Sequence, residues 1–427
     1  MNTQKAPASI AFDAADILLP DFKEVDGTRW AVVACDQYTS EPAYWENAAA
    51  IVTDAPSTLS MILPEVYLDE TEARVPVINQ AMHGMLKTVL REHPDTMLCI
   101  CRTQSDGKVR RGIIGAVDLE AYDFTKGSTS LIRATEGTVL ERIPPRVAIR
   151  RDAPLELPHV MLLIDDPQKT VIEPALASCH SRETLYDFDL MLGGGHICAF
   201  ALNESEKEQI KTALAALITP DAIEARYGDA SIAPLLFAVG DGNHSLATAK
   251  TAYEEIKQQI GEEAAKNHPA RYALAEVVNL HDDALQFEPI YRVVFDADVD
   301  GLLTELSAYL NTLQGQAAPQ SLVYVTAEDE GTLTVPHPVQ QLTVGTLQAF
   351  LFDYAARHPE ITVDYIHGED SLRSLAKQKN AIGFLFDGMR KDELFRTVIY
   401  DGALPRKTFS MGHAPDKRYY LECRKIK

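Results

Sequence analysis

The chain has little with which to cross-link or anchor itself. Its 427 residues hold six cysteines, Cys35, Cys99, Cys101, Cys179, Cys198 and Cys423, scattered and never in C-x-x-C spacing. That argues against a disulfide framework or a zinc site and suits reduced core thiols. No apolar run of about 18 residues is present, so no helix is expected to span a bilayer. The opening MNTQKAPASIAFDAAD has no basic stretch followed by an apolar one, so nothing marks the chain for export and a cytoplasmic location is expected. Positive charge is also scarce. The 40 Lys and Arg against 62 Asp and Glu leave a formal charge of −22, which argues against a general nucleic-acid or anionic-membrane surface. Repeats, low-complexity tracts and coiled-coil heptads are missing as well.

What is present is globular in proportion, with 46% hydrophobic and 24% charged residues. The length predicts two domains rather than one core. Strand-like and helix-like segments alternate along the chain, so the expected fold class is α/β, or mixed α+β. The expected boundary lies at 297/298, giving a core domain over 1–297 and a smaller C-terminal α/β lobe over 298–427, with the tail Leu404 to Gly412 returning to the core.

The stretch around which the chain is organised is PLLFAVGDGNHSLATAK, Pro234 to Lys250. Leu235 to Val239 read as a buried strand, and Gly240-Asp241-Gly242-Asn243-His244 as a polar tip. From Ser245 the period becomes helical, with Leu246, Ala249, Tyr253, Ile256 and Ile260 on one face. A strand, a glycine-bearing turn and a helix present backbone N–H groups and a positive dipole end to an anion. Asp241 and His244 could add proton transfer or metal coordination. The alternative is an ordinary turn in which Gly240 and Gly242 supply positive φ and Asp241 or Asn243 caps the helix. Neither G-x-x-x-x-G-K-[ST] nor G-x-G-x-x-G occurs at this turn.

A second polar strand end is predicted earlier. Trp30 to Ala34 read as a strand, the loop Cys35 to Pro42 follows, and a helix capped by Thr39 or Ser40 comes next. Asp36 and Glu41 bracket two hydroxyls there, where open α/β sheets place ligands. Val75 to Arg91 is expected as a helix. Met97 to Arg102 and Gly112 to Leu119 are expected as a hairpin about Ser105 to Lys108, and Gly193 to Gly195 as another hairpin turn. Glu136 and Thr138 stand near an arginine cluster, Arg142, Arg146, Arg150 and Arg151. A second basic group is Arg406 and Lys407 with Lys417 and Arg418. Each cluster is either a solvated face or a local anion pocket. Asp165 and Asp166 end a strand, either as a turn or as a Mg²⁺ site.

Taken together, CDQYTSEPAYW (Cys35 to Trp45), APSTLSMILPEVYL (Ala55 to Leu68), HVMLLIDDP (His159 to Pro167), VGDGNHSLATAK (Val239 to Lys250), FEPIYRVV (Phe287 to Val294) and LPRKTF (Leu404 to Phe409) resemble the family called domain of unknown function 1015. The resemblance implies a ParB/sulfiredoxin-like nucleotide-binding core, and a relationship to an ADP-dependent free serine kinase. It further implies that Gly240, Asp241, Gly242, Asn243 and Ser245 bind phosphates, with Thr39, Arg292 and Arg406 as further contacts and Asp241 as a ligand of Mg²⁺. Glu41 is the implied catalytic base, Asp36 the next choice, and His244 a further catalytic candidate. The family's D-G-H-H-R form is here Asp241-Gly242-Asn243-His244-Ser245, so serine stands where an arginine would clamp a phosphate. Lys250, Arg292 or Arg406 are the candidate substitutes. The expected cofactors are Mg²⁺ and a nucleotide, ADP or ATP, as phosphate donor. The expected partners are that nucleotide and a small-molecule substrate, L-serine being the one to try, with a homodimer left open. The alternative is a nucleotide- or small-anion-binding regulatory protein without transfer chemistry. Sulfiredoxin-like thiol chemistry is a weaker third reading, since it needs an activated cysteine at the turn and position 243 is asparagine.

Overall fold

Met161–Ile164 is buried at all four residues, and Phe237–Asp241 is buried at its first three. Such continuous apolar runs suit strands covered on both faces. They lie side by side, antiparallel, inside a ten-stranded mixed sheet of the computed structural model, which describes residues 10–137, 143–179 and 182–427. In spatial order the strands are Tyr186–Asp189, His196–Ala201, Leu98–Thr103, Val109–Asp118, Tyr272–Asn279, Met161–Ile164, Phe237–Asp241, Ile132–Ala134 and Tyr122–Asp123, with Phe12–Asp13 added on Val109–Asp118. Three neighbouring pairs are parallel: Met161–Ile164 with Tyr272–Asn279, Phe237–Asp241 with Ile132–Ala134, and Ile132–Ala134 with Tyr122–Asp123. The fold class is therefore mixed α/β.

Alternation along the strands builds a core on each face. Met97, Cys99, Ile113 and Val117 point to one side, where the helix Ile172–Cys179 packs on their strands and Leu246, Ala249 and Tyr253 of the helix Asn243–Ile260 belong to the same core. Leu98, Ile100, Ile114 and Ala116 point to the other, against Trp30, Trp45, Tyr419 and Tyr420. Both predicted hairpins form, Leu98–Thr103 with Val109–Asp118 and Tyr186–Asp189 with His196–Ala201. Gly107, Gly193 and Gly195 take positive φ in the turns.

The chain divides into two compact units, one running to Leu285 and resuming at His413–Lys427, the other Gln286–Gly412. The change of unit thus precedes the expected 297/298 position, because Phe287–Phe295 pairs with Thr362–His367 and Ile382–Leu385 inside the second unit's own sheet. Leu404 to Gly412 also stays in the second unit, where Phe409–Met411 pairs with Phe287–Pro289. The segment that returns to the first unit is His413–Lys427. Within the second unit the helices Val299–Thr312, Thr343–Arg357, Glu369–Ala376 and Lys391–Tyr400 alternate with the strands much as the sequence predicts.

Two other expectations shift. Trp30 ends a four-residue helix, Gly27–Trp30, and only Val32–Val33 is a strand, paired with Tyr419–Tyr420 of the returning tail. The predicted Val75–Arg91 helix runs Thr71–Thr88, and Leu90–Thr96 pairs as a strand with Ala15–Pro20.

The tail is locked by buried ions. Glu276 accepts hydrogen bonds from Arg110 Nε at 3.2 Å and Arg418 Nη1 at 2.9 Å, and Arg418 Nη2 donates to Glu422 at 2.6 Å. Arg102 donates to the carbonyls of Pro415 and Lys417, and Arg110 to that of Asp416. Buried charges persist only when paired and hydrogen-bonded, and here the pairing fixes the backbone around Lys417.

Candidate active site

The helix Asn243–Ile260 begins at Gly242, whose φ of 80° is left-handed, and no side chain caps it. A Cβ at Gly242 would stand 3.0 Å from Val160 Cα, so the turn needs glycine for conformation and for close approach. Gly240 is required by packing alone, since a Cβ there would meet Leu163 at 2.8 Å on the adjacent strand. Leu246 N donates to Gly242 O at 3.0 Å. The earlier amides of Asn243, His244 and Ser245 belong to the first turn, whose N–H groups have no partner within the helix.

Above this turn lies a polar cleft of about 400 Å³, lined by Asp36, Thr39, Glu65, Glu136, Arg146, His159 and the Asp241–Ser245 turn, with Cys35 at its edge. Most of the predicted residues therefore converge: Asp36, Thr39, Asp241, Gly242, Asn243, His244 and Ser245 share one cleft. Glu41 is not among the lining residues. It is exposed and precedes the helix Pro42–Val52 as its cap position, where neither it nor the expected Thr39 or Ser40 makes a capping hydrogen bond. Asn243 is a staple: its Oδ1 accepts from Thr135 N at 3.3 Å, holding the strand end before Glu136 against the turn.

His159, buried beside the turn, organises the other wall. Its Nε2 lies 3.2 Å from Ser245 Oγ and 3.7 Å from Asp36 Oδ2, while Nδ1 lies 2.9 Å from the Tyr420 hydroxyl. Tyr420 donates to Cys35 Sγ at 2.9 Å. Burial pushes the Asp36 carboxyl up, but His159, the hydrogen bond from Gln37 and the charge of Lys417 outweigh it and hold the group below the ordinary carboxylate value. Burial and the Asp36 charge push the Cys35 thiol up to about 12. A thiol so held is not an activated nucleophile, which argues against the sulfiredoxin-like thiol reading.

Lys417 Nζ stands 3.4 Å from Asp241 Oδ2, and Arg146 forms an ion pair with Glu65. Among the described residues Arg146 lines the cleft, and Lys417 reaches its lining residue Asp241 without itself being part of the lining. The candidate substitutes for the missing arginine are placed otherwise. Lys250 pairs with Glu254 at 2.7 Å along its own helix. Arg292, fully buried in the second unit, donates to Gln348 and to the carbonyls of Ile290, Arg406 and Lys407. It braces that unit's terminal segment rather than presenting donors to a ligand. Arg406 is exposed in the same unit. Thr138 and Arg142 lie outside the described residues. Arg150 and Arg151 pair with Glu156 and Glu255.

His159, Glu65 and Lys417 are not singled out by the sequence as members of the site. His159 opens the HVMLLIDDP stretch and Lys417 belongs to a basic cluster, but nothing local ties either to the turn. Asp165 and Asp166 resolve as structure: Asp166 accepts from the Thr170 and Val171 amides, and Asp165 from Tyr227. Behind His159 a second cavity of about 170 Å³, walled by Met61, Leu63, Met82, Ile149 and Leu155, shares Cys35, Arg146 and Ser245 with the cleft.

Fold and site together define a mixed α/β protein with a polar cleft over a strand-turn-helix. The chain belongs to the family described as protein of unknown function (DUF1015), whose model matches residues 19–388. No curated protein matches it. Among solved structures it is similar to a free serine kinase in complex with AMP, 10% identical with a TM-score of 0.36, the match covering 75% of this chain and 92% of that one. It is similar to a mutant free serine kinase in complex with ADP, at 11% identity and a TM-score of 0.36 over 75% and 93% of the two chains. A conserved hypothetical protein from Pyrococcus furiosus is 10% identical with a TM-score of 0.34, over 75% and 96%. Among the described residues no helix is long and apolar enough to cross a membrane.

Proposed function

We propose that the first unit is a ParB/sulfiredoxin-like nucleotide-binding core, and that its cleft houses a nucleotide-dependent phosphotransferase acting on a small hydroxylated acceptor. Free L-serine is the acceptor to test first, with ADP or ATP as donor. The observation that carries this reading is the convergence of an uncapped helix N-terminus, Asp241 with Lys417, and Asp36 with His159 on one polar cleft. Phosphoryl transfer needs positioning and charge stabilisation more than covalent chemistry. The amides of Asn243 to Ser245 hold phosphate oxygens at the helix end, and Lys417 and Arg146 add positive charge. Asp36 is the base, taking the acceptor's hydroxyl proton in the place assigned by resemblance to Glu41. His159 orients Asp36, and His244 lies beside them on the cleft wall. The aliphatic walls behind His159 suit the carbon skeleton of a ligand.

Four carboxylates, Asp36, Glu65, Glu136 and Asp241, line the same cleft, so a polyphosphate there requires a counter-charge. Among the described residues no three His, Cys, Asp or Glu side chains gather into a metal site of their own. One or two carboxylates completed by phosphate oxygens is how Mg²⁺ is ordinarily held, and Asp241 would be the carboxylate that holds it here. Bound Mg²⁺ would supply neutralisation of phosphate charge.

A second reading, a nucleotide- or small-anion-binding regulatory protein, draws support from the position of Glu41 outside the cleft and from the engagement of Ser245 with His159. Thermal-shift measurements with ADP, ATP, CTP and GTP, each with and without Mg²⁺ and L-serine, separate these from no nucleotide function at all. A Mg²⁺-dependent rise in Tm with one nucleotide, lost in His244→Ala, is expected; no shift at millimolar nucleotide overturns the kinase reading and leaves a small ligand other than a nucleotide. Transfer of phosphate to serine then decides for the enzyme.

A further inference from the structure

The strands Leu98–Thr103 and His196–Ala201 pair antiparallel in a register that sets Cys101 directly opposite Cys198. Directly opposed residues of such a pair have Cα atoms about 4.5 or 5.5 Å apart. Both spacings lie within the range of roughly 4.4–6.8 Å that a disulfide spans. Opposed side chains also leave the sheet on the same face. Neither cysteine is in a disulfide, and neither lines the cleft. We propose that Cys101 and Cys198 are a peroxide-responsive thiol pair that closes into a cross-strand disulfide.

The surroundings differ from those of the chain's buried thiols. Cys198 is partly exposed, so a small oxidant reaches it, whereas Cys101 is 8% exposed and packs into the core beside it. Asp187 opposes Cys198 from the other neighbouring strand. His196, two residues along and so on the same face, meets Asp187 and Asp189 at 2.8 Å each. Burial pulls the imidazole pKa down, but the two carboxylates outweigh it and raise it. The Cys101 hydrogen bond, with help from His196, holds the Cys198 thiol down to about 7 against burial and the charge of Asp187. At neutral pH a thiol so held is substantially thiolate, the form that attacks peroxide.

The chemistry closes on these two residues and one peroxide. The Cys198 thiolate attacks a peroxide oxygen, the O–O bond breaks, and the released oxygen leaves as water or alcohol once protonated. Cys198 is then a sulfenic acid. The Cys101 sulfur attacks that sulfur, the S–S bond forms, the S–O bond breaks, and hydroxide leaves with the Cys101 proton as water. Two thiols are oxidised and one peroxide is reduced.

The test uses the full folded chain, treated with hydrogen peroxide, alkylated with iodoacetamide, digested without reduction and mapped by mass spectrometry. A linked pair of peptides carrying Cys101 and Cys198 is expected, with both thiols restored by dithiothreitol. In Cys101→Ser, dimedone should label Cys198, and in Cys198→Ser position 101 should stay unlabelled. Oxidised chain without the linked peptide pair, or a link that appears only after unfolding in guanidinium, overturns the proposal. The wild-type map decides even if either variant fails to fold.

Discussion

Lys417 Nζ stands 3.4 Å from Asp241 Oδ2, so the last segment of the chain supplies a cation to a turn far earlier in the sequence. Arg102, Arg110 and Ser105 hold the backbone on either side of Lys417, through the carbonyls of Pro415, Asp416 and Lys417 and the carboxylate of Asp416. Lys417→Met should therefore fold normally while losing a charge-assisted contact to a bound phosphate. Such a contact contributes about 1.5–3 kcal/mol, so nucleotide affinity should fall about tenfold or more, read by titration calorimetry. Lys417→Arg should recover part of it. An unchanged affinity in Lys417→Met would remove Lys417 from the binding site.

Asp36 and Glu41 make a paired prediction. Asp36 lines the cleft beside His159, and Glu41 is exposed outside its lining. If phosphate transfer to serine is detected, Asp36→Asn should lower kcat by about 10²- to 10⁴-fold, the usual effect of removing a general base. KM for the nucleotide should stay nearly level. Glu41→Ala should change neither. The reverse pattern would return the role of base to Glu41.

What the sequence made legible follows from range. The strand ending at Asp241, the glycine turn and the helix from Asn243 were readable because a continuous apolar run gives way to helical spacing within a few residues. The second unit's alternating elements were readable for the same reason. His159, Glu65 and Lys417 were not. His159 meets Tyr420 across 261 positions of sequence, and Cys35 meets Tyr420 across 385, and no local period encodes such meetings. Glu41 was readable as part of a motif, but its exposed placement at the start of the helix Pro42–Val52 was not, because a motif does not say which way its side chains face. The Cys101–Cys198 pair needed the strand register, which a scattered cysteine count does not contain.

Gly242→Ala tests the turn itself. The residue sits at φ of 80°, and the added methyl would approach Val160 Cα at 3.0 Å. Left-handed backbone at a non-glycine residue costs about 1–2 kcal/mol, so a modest fall in Tm is expected, together with loss of the nucleotide-induced rise because the helix amides are displaced. Gly228, also left-handed but with nothing near its missing Cβ, is the control. Gly228→Ala should lower Tm by a similar strain and leave nucleotide binding intact.

Glu276 provides the pH test. It is 1% exposed and lies between Arg110 and Arg418; burial pushes its carboxyl up, but the two guanidiniums outweigh that and hold it below the ordinary value. A carboxyl depressed in the folded state contributes stability that is fully present above its unfolded pKa, about 4.3, and is lost as pH falls through the folded value. Glu276→Gln leaves two buried guanidiniums facing a neutral amide, and breaking such a pair costs about 3–5 kcal/mol. The two tryptophans, Trp30 and Trp45, both belong to the first unit, so their fluorescence reports its unfolding alone. In urea titrations the gap between wild type and variant should be constant from about pH 6 to 8 and narrow below about pH 4, where the unfolded chain's carboxyl takes up a proton that the folded, ion-paired carboxylate still resists. A gap that is the same at pH 3.5 and pH 7 would mean that Glu276 is held by shape rather than by charge.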